Sequence, residues 1–173
     1  IEYDKAKRGN FALIYGAQAW TLAQNLQCTI NEAKEFMKLY FEKFPGVKKY
    51  QETMREIAIS KKQVSNWFGR TRRIDAMYVD QWRVKEEGIK EAVNTPIQGT
   101  GGEVCKIGMI ALHKHNAPMV LQIHDELLFE VAEKDATEYA HWLKVFVPSL
   151  VEINGVRFLV DVKIGQNWWE CSQ

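Results

Sequence analysis

Apolar residues recur every three or four positions through most of this chain, the spacing that lines one face of a helix. They alternate only toward its C-terminal end, as in half-buried strands. Glu2 to Leu26 reads as helical, with Tyr3, Lys7, Phe11 and Tyr15 four apart and so near one face. Gly16 ends or bends it before a second amphipathic segment that starts at Ala17. Thr29-Ile30-Asn31-Glu32 has the form of a capping box, and Ala33, Phe36, Met37, Tyr40, Phe41 and Phe44 follow at helical spacing. Pro45-Gly46 stops that helix, and Val47, Tyr50, Met54, Ile57 and Ala58 mark another that reaches Lys61.

From Val64 to Ile74 the sequence VSNWFGRTRRI predicts a loop or short hairpin, with Trp67-Phe68 and Gly69 set before Arg70, Arg72 and Arg73. Interleaved aromatic and basic residues suit contact with phosphates and sugars; arginines on an exposed turn also serve solubility, and spacing does not decide between the two. Val84 to His113 reads as a long helical stretch in which Pro96, Gly99 and Gly101-Gly102 predict a kink or break. Lys90, Asn94 and Gln98 share one face if the helix continues past Pro96, a pattern that usually marks a solvated face. His113 and His115 flank Lys114 at the helix end, where favourable charge near a carboxyl terminus outweighs a metal pair.

Met119 to Val131, MVLQIHDELLFEV, has period two: Met119, Leu121 and Ile123 on one face going in, Leu127, Phe129 and Val131 coming out. That pattern predicts two antiparallel strands folded back at a tight turn made of His124, Asp125 and Glu126. The residues leave two readings open. Polar residues at a hairpin tip are ordinary turn formers, and adjacent carboxylates at a sheet edge are hard oxygen ligands suited to magnesium. Asp135 to Val147 then reads as a helix closed by Pro148, and Val156, Phe158, Val160, Val162 and Ile164 as a last strand. Helices followed by a few antiparallel strands make an α+β arrangement, with no internal repeat.

Composition narrows the class. The chain has 173 residues, 46% hydrophobic and 26% charged, enough for one domain or two small lobes with a real core. Its formal net charge of +1 confines any affinity for nucleic acid to local patches. Cys28, Cys105 and Cys171 are few, widely spaced and without zinc-ligand spacing, which suits reduced thiols in a cytoplasmic setting. The charged first residues and the absence of a long apolar run argue against secretion and membrane insertion.

Five stretches, in order, resemble the family A, polymerase I-like DNA polymerases: KRGNFALIYG (Lys7 to Gly16), LYFEKFPGVKKY (Leu39 to Tyr50), WFGRTRRI (Trp67 to Ile74), NTPIQGT (Asn94 to Thr100) and QIHDELLFEV with GQNWWE near the end. The resemblance spans nearly the whole chain. It implies a mostly helical fingers lobe over residues 1–80, then a palm portion over 81–173 with a small antiparallel sheet. It further implies nucleotide addition to a primer 3′ end with two magnesium ions per complete site. On this likeness Asp125 and Glu126 become metal ligands and catalytic residues, and Lys7 the catalytic cation that binds the triphosphate. Phe11 matches the aromatic that packs on the incoming sugar, where phenylalanine implies stronger rejection of dideoxynucleotides than tyrosine, and Tyr15 matches the template-base pocket. His124 is placed toward the primer end, Asn94 and Gln98 as minor-groove probes, and Lys90, Arg70 and Arg72 as further DNA contacts.

The chain departs from the family pattern at three points. Tyr3 stands where the family has an arginine, Lys90 stands where it usually has another, and no stretch here resembles the upstream motif that carries the other catalytic aspartate. The expectation is therefore a fingers and palm segment that works on primer-template DNA and deoxynucleoside triphosphates. A second polypeptide would supply the remaining palm, the thumb and the first aspartate, in the cytoplasm (nucleoid, or host cytoplasm for a viral source) and with no membrane. The alternative is an inert nucleic-acid-binding or assembly module that keeps the fold. A palm without its first strand would expose a sheet edge and apolar surface, so low solubility in isolation is also expected.

Overall fold

The computed structural model describes the backbone of residues 2–172 and the side chains of residues 4–172. The side chain of Tyr3, one of the departures from the family pattern, lies outside the described residues. The chain forms two compact units, residues 1–100 and 101–173. No helix among the described residues is long and apolar enough to cross a membrane.

In the first unit, α1 (Glu2–Ile14) and α2 (Ala19–Leu26) are separate helices, as Gly16 predicts. Gly16 takes a positive φ of 78°, its N–H donates to the Leu13 carbonyl, and the Ala17 N–H reaches back to Ala12. This is a Schellman closure at a residue with no Cβ to clash. Next, α3 (Ile30–Lys43) starts at the anticipated capping box: Thr29 Oγ1 accepts from the Glu32 N–H while the Glu32 carboxylate accepts from the Thr29 N–H. The Thr29 hydroxyl bond to that carboxylate holds the Glu32 carboxyl below its ordinary pKa. Finally, α4 (Pro45–Lys61) begins on Pro45, whose missing N–H costs nothing in a first turn.

Two small apolar clusters hold this unit. Leu13, Leu22, Ala23 and Ala33 join the first three helices, and Ala58, Val64, Ile74, Met77, Ile89 and Ala92 form the second cluster. The second cluster seats β1 (Gln63–Ser65) and β2 (Thr71–Arg73), which pair antiparallel as the short hairpin the sequence allowed. A 3-10 turn, Asp75–Tyr78, leads into α5 (Trp82–Lys114). There Gly88 lets the neighbouring turn approach: a Cβ at this position would lie 2.6 Å from Ala76 Cβ.

The expected break at Pro96 is absent, for α5 is helical through Pro96 and the glycines after it. Bonds from outside the ladder brace this stretch: Tyr50 Oη donates to the Val93 carbonyl at 2.7 Å, and Thr100 Oγ1 donates to the Pro96 carbonyl at 2.6 Å. Burial of the Tyr50 side chain pushes its phenol up to about 12. The last turn of α5 carries His113 and Lys114, and Asn116 at φ 55° closes it with the Ala117 N–H bonded to the Leu112 carbonyl.

In the second unit, β3 (Met119–Ile123) and β4 (Glu126–Phe129) pair antiparallel. The expected alternation is imperfect: the register shifts between Met119 and Leu121, and Leu121 is exposed rather than half-buried. A bulge rotates the strand, so a simple count of every second residue fails beyond it. After a 3-10 turn (Glu133–Asp135), α6 (Ala136–Ser149) continues one residue past Pro148 instead of closing at it, and the Leu150 N–H caps it on the Val147 carbonyl. Around α6, Trp142 stacks on Phe146 at 4.8 Å, His115 packs against both, and Phe129 meets Tyr139 edge-on.

The long last strand expected from Val156 to Ile164 does not form. Only β6 (Val156–Arg157) pairs, with β5 (Glu152–Ile153), around Asn154-Gly155, both at positive φ as an Asn-Gly hairpin turn requires. The following residues have a strand's alternation but no strand beside them among the described residues, and Leu159 is left 83% exposed. The fold is thus α+β as expected, with helices dominant and the described strands arranged as separate two-stranded antiparallel ladders. A short helix α7 (Trp168–Cys171), capped by Asn167, closes the described chain.

Candidate functional site

Three places carry the residues singled out from the sequence. On α1, Lys7 and Phe11 are exposed while Gly9 and Leu13 face the core. Tyr15 follows in the next turn, its N–H still bonded to the Phe11 carbonyl, and its ring stacks on Phe11 with centroids 6.3 Å apart and planes 9° from parallel. The end of α1 that presents this pair is held from α4: Gln51 Nε2 donates to the carbonyls of Leu13 and Ile14 in the last turn. Asn10 on the same helix accepts from Tyr40 Oη at 2.7 Å.

The second place is the β1–β2 loop and the start of α5. Asn66 is 7% exposed and organises the loop: its Oδ1 accepts from the N–H groups of Phe68 and Arg70, and its Nδ2 donates to the Gly99 carbonyl. Gly99 has no side chain to block this approach, since a Cβ there would sit 3.3 Å from Asn66 Cβ. Thr100 Oγ1 accepts from the Trp67 N–H at 3.0 Å, and Gly69 turns the chain at φ 84°. Beside the loop lies a cleft of ≈390 Å³ whose walls include Arg70, Arg72, Asn94 and Gln98, so four of the residues predicted to meet DNA are brought together. Lys90 does not line it; its ammonium pairs with Glu87 at 2.7 Å. The Oδ1 of Asn94 is buried and has no hydrogen-bond partner among the described residues.

The third place is the β3–β4 tip. Ile123 pairs with Glu126, so the turn is His124-Asp125 alone and Glu126 is the first residue of β4, one position later than the three-residue turn expected. His124 sits at φ 54°, a left-handed conformation that histidine adopts more readily than branched residues. Gln122 Nε2 donates to the His124 carbonyl at 2.9 Å, and the Cys105 sulfur lies 4.0 Å from the same oxygen. Burial, and then the nearby negative charge of Asp125, push the Cys105 thiol up. His124, Asp125 and Glu126 are all exposed.

Asp125 and Glu126 are hard oxygen donors of the kind magnesium takes, but among the described residues no group of three His, Cys, Asp or Glu side chains is placed to hold a metal. The pair therefore fits a magnesium site in chemistry and fills only part of a six-coordinate shell.

Sequence patterns gave no sign of Gln51, Gln122 or Glu91, whose carboxylate meets Arg72 across the cleft. Asn66, directly before an aromatic pair and a glycine, carried the one usable signal, because asparagine commonly folds its side chain onto the backbone two residues on.

With this geometry in place, comparison with known proteins defines the class. The sequence model of DNA polymerase family A matches residues 2–170, and the chain belongs to that family. It is 31% identical to DNA polymerase I of Streptococcus pneumoniae serotype 4 (strain ATCC BAA-334 / TIGR4), a match covering 96% of this chain and 20% of that protein. It is 36% identical to DNA polymerase I of Helicobacter pylori (strain ATCC 700392 / 26695), covering 96% of this chain and 19% of that protein. The chain spans about a fifth of the length of these curated relatives. Among solved structures it is similar to the POL domain of Pol1 from M. smegmatis in complex with DNA primer-template and dNTP, with a TM-score of 0.87 and 30% identity over 98% of this chain and 31% of that one.

Proposed function

We propose that this chain is part of a template-directed DNA polymerase that adds deoxynucleotides to a primer 3′ end. The observation that carries the proposal is the β3–β4 tip, where a two-residue turn sets Asp125 and Glu126 side by side in a chain matched to family A over residues 2–170. The likeness to a polymerase domain in complex with primer-template and dNTP supports it. On this reading residues 1–80 serve as fingers and residues 81–173 as the palm portion.

Each residue then has a task set by its chemistry. Asp125 and Glu126 hold the divalent ions on one side. When bound, two magnesium ions per complete site neutralise the α-phosphate oxygens and activate the primer hydroxyl. Lys7 meets the charge that develops on the triphosphate. Phe11 packs on the incoming sugar, and the Tyr15 ring stacked on it borders the template base. Asn94 and Gln98 probe minor-groove acceptors, which every base pair presents, and Arg70, Arg72 and Lys90 bind the backbone. His124 lies toward the primer end. The remaining carboxylate and the thumb come from polypeptide outside these 173 residues.

The test is to mix the chain with a polypeptide that carries the missing aspartate motif and to measure magnesium-dependent primer extension. Extension that survives Asp125→Ala unchanged removes the metal assignment. Binding of primer-template without extension, whatever the partner, favours an inert nucleic-acid-binding module.

A further inference from the structure

The DNA-facing cleft of the first unit contains an acid that a surface built only to hold phosphates would not carry. Glu91 Oε1 on α5 forms an ion pair with Arg72 Nη2 on β2, and Arg72 Nη1 also lies 3.4 Å from Thr95 Oγ1 one turn further along α5. All three residues belong to the cleft wall, together with Arg70, Asn94 and Gln98. The Glu91 side chain is 32% exposed and that of Arg72 58%, so an incoming ligand can reach both.

We propose that Glu91 is a built-in competitor for the nucleic-acid backbone, standing in for a phosphate at Arg72 while the cleft is empty. This rests on the proposed function, under which Arg72 binds DNA. Glu91 and Thr95 occupy the two Nη arms of Arg72, so both must give way for Arg72 to turn that edge of its guanidinium to a phosphate. The displaced carboxylate stays in the cleft and repels the phosphate that replaced it. The same substitution recurs one turn earlier, where Glu87 holds Lys90. The arrangement keeps both cations in place at the expense of affinity, which suits a protein that must release and re-engage its DNA at each step along the strand. Glu91 is thus a positioning residue: it acts on DNA through Arg72.

The experiment is equilibrium binding of the full chain to a fluorescent primer-template across a salt series, for wild type, Glu91→Gln, Arg72→Gln and the double variant. Glu91→Gln is expected to tighten binding about two- to fivefold at low salt, the range set by a partly exposed ion pair. The slope of log affinity against log salt should change by less than the about 0.9 of a whole added phosphate contact, since Arg72 meets a phosphate in both proteins once Glu91 has given way. In the Arg72→Gln background the same change should alter binding far less, which a purely general loss of negative charge would not produce. Unchanged or weaker binding by Glu91→Gln overturns the inference and leaves the proposed function standing. No binding of primer-template by the wild-type chain, whether alone or mixed with the polypeptide that carries the missing aspartate motif, removes both. Should Glu91→Gln shift the melting temperature, Glu91→Ala repeats the comparison, and affinity that follows stability rather than Arg72 counts against the inference.

Discussion

The β1–β2 loop is fastened from behind by Asn66, whose buried amide makes three bonds to loop and helix backbone. The β3–β4 turn is held at the His124 carbonyl by an exposed Gln122 and the half-buried Cys105 sulfur, with no buried amide bonded to it among the described residues. The first device sets backbone geometry before any ligand arrives and leaves Trp67, Phe68 and the arginines to meet it. The second leaves two like charges at an open tip, where repulsion is tolerable only because solvent screens it. The contrast separates two kinds of turn, one fastened by a buried side chain of its own unit and one whose charged residues lie open to solvent.

The largest expected effect tests the open tip. Asp125→Ala should lower extension in the reconstituted enzyme by roughly 10²- to 10³-fold, the loss typical of removing one preorganised charge-stabilising group. It should leave thermal stability unchanged, as measured by calorimetry. A large loss of stability instead would mean that the tip is as integrated as the β1–β2 loop. Next, Asn66→Ala strands two loop N–H groups and the Gly99 carbonyl, and should cost about 2–4 kcal/mol in chemical denaturation.

Tyr50 extends the comparison to the helix under the loop. Its phenol is raised to about 12, so the stabilisation it provides is complete below the ordinary tyrosine range near pH 10 and is lost as pH rises through the folded-state value. Tyr50→Phe should remove that alkaline sensitivity between pH 10 and 12 in a denaturation series and cost about 1 kcal/mol at neutral pH for the bond to Val93. The smallest effect belongs to Gln122→Ala, about 0.5–1 kcal/mol, since its partner at the exposed tip can bond water instead.

Sequence made the locally determined features legible. The Thr29-Glu32 box, the Pro45 start, the Gly16 closure and the two hairpins each depend on residues a few positions apart, and each is present. What escaped depends on distant partners. Asn66 gains its role from Gly99, and α5 runs on through Pro96 where Tyr50 and Thr100 bond the nearby carbonyls of Val93 and Pro96. Val156 to Ile164 has a strand's alternation, yet a strand exists only where another pairs with it. At the candidate site, chemical type was visible in Lys7, Phe11, Asp125 and Glu126. The residues that aim or restrain the site, Gln51, Glu91 and Gln122, are ordinary polar residues in any linear pattern.

The glycines of α5 have a consequence for how the protein opens. Gly99, Gly101 and Gly102 lie together, each costing roughly 1 kcal/mol of helix stability relative to alanine, and the last two have nothing within 4 Å of where a Cβ would be. The two compact units part between Thr100 and Gly101, within this weak stretch. Native-state hydrogen exchange should therefore find a dip in protection at residues 99–102 inside an otherwise slow helix.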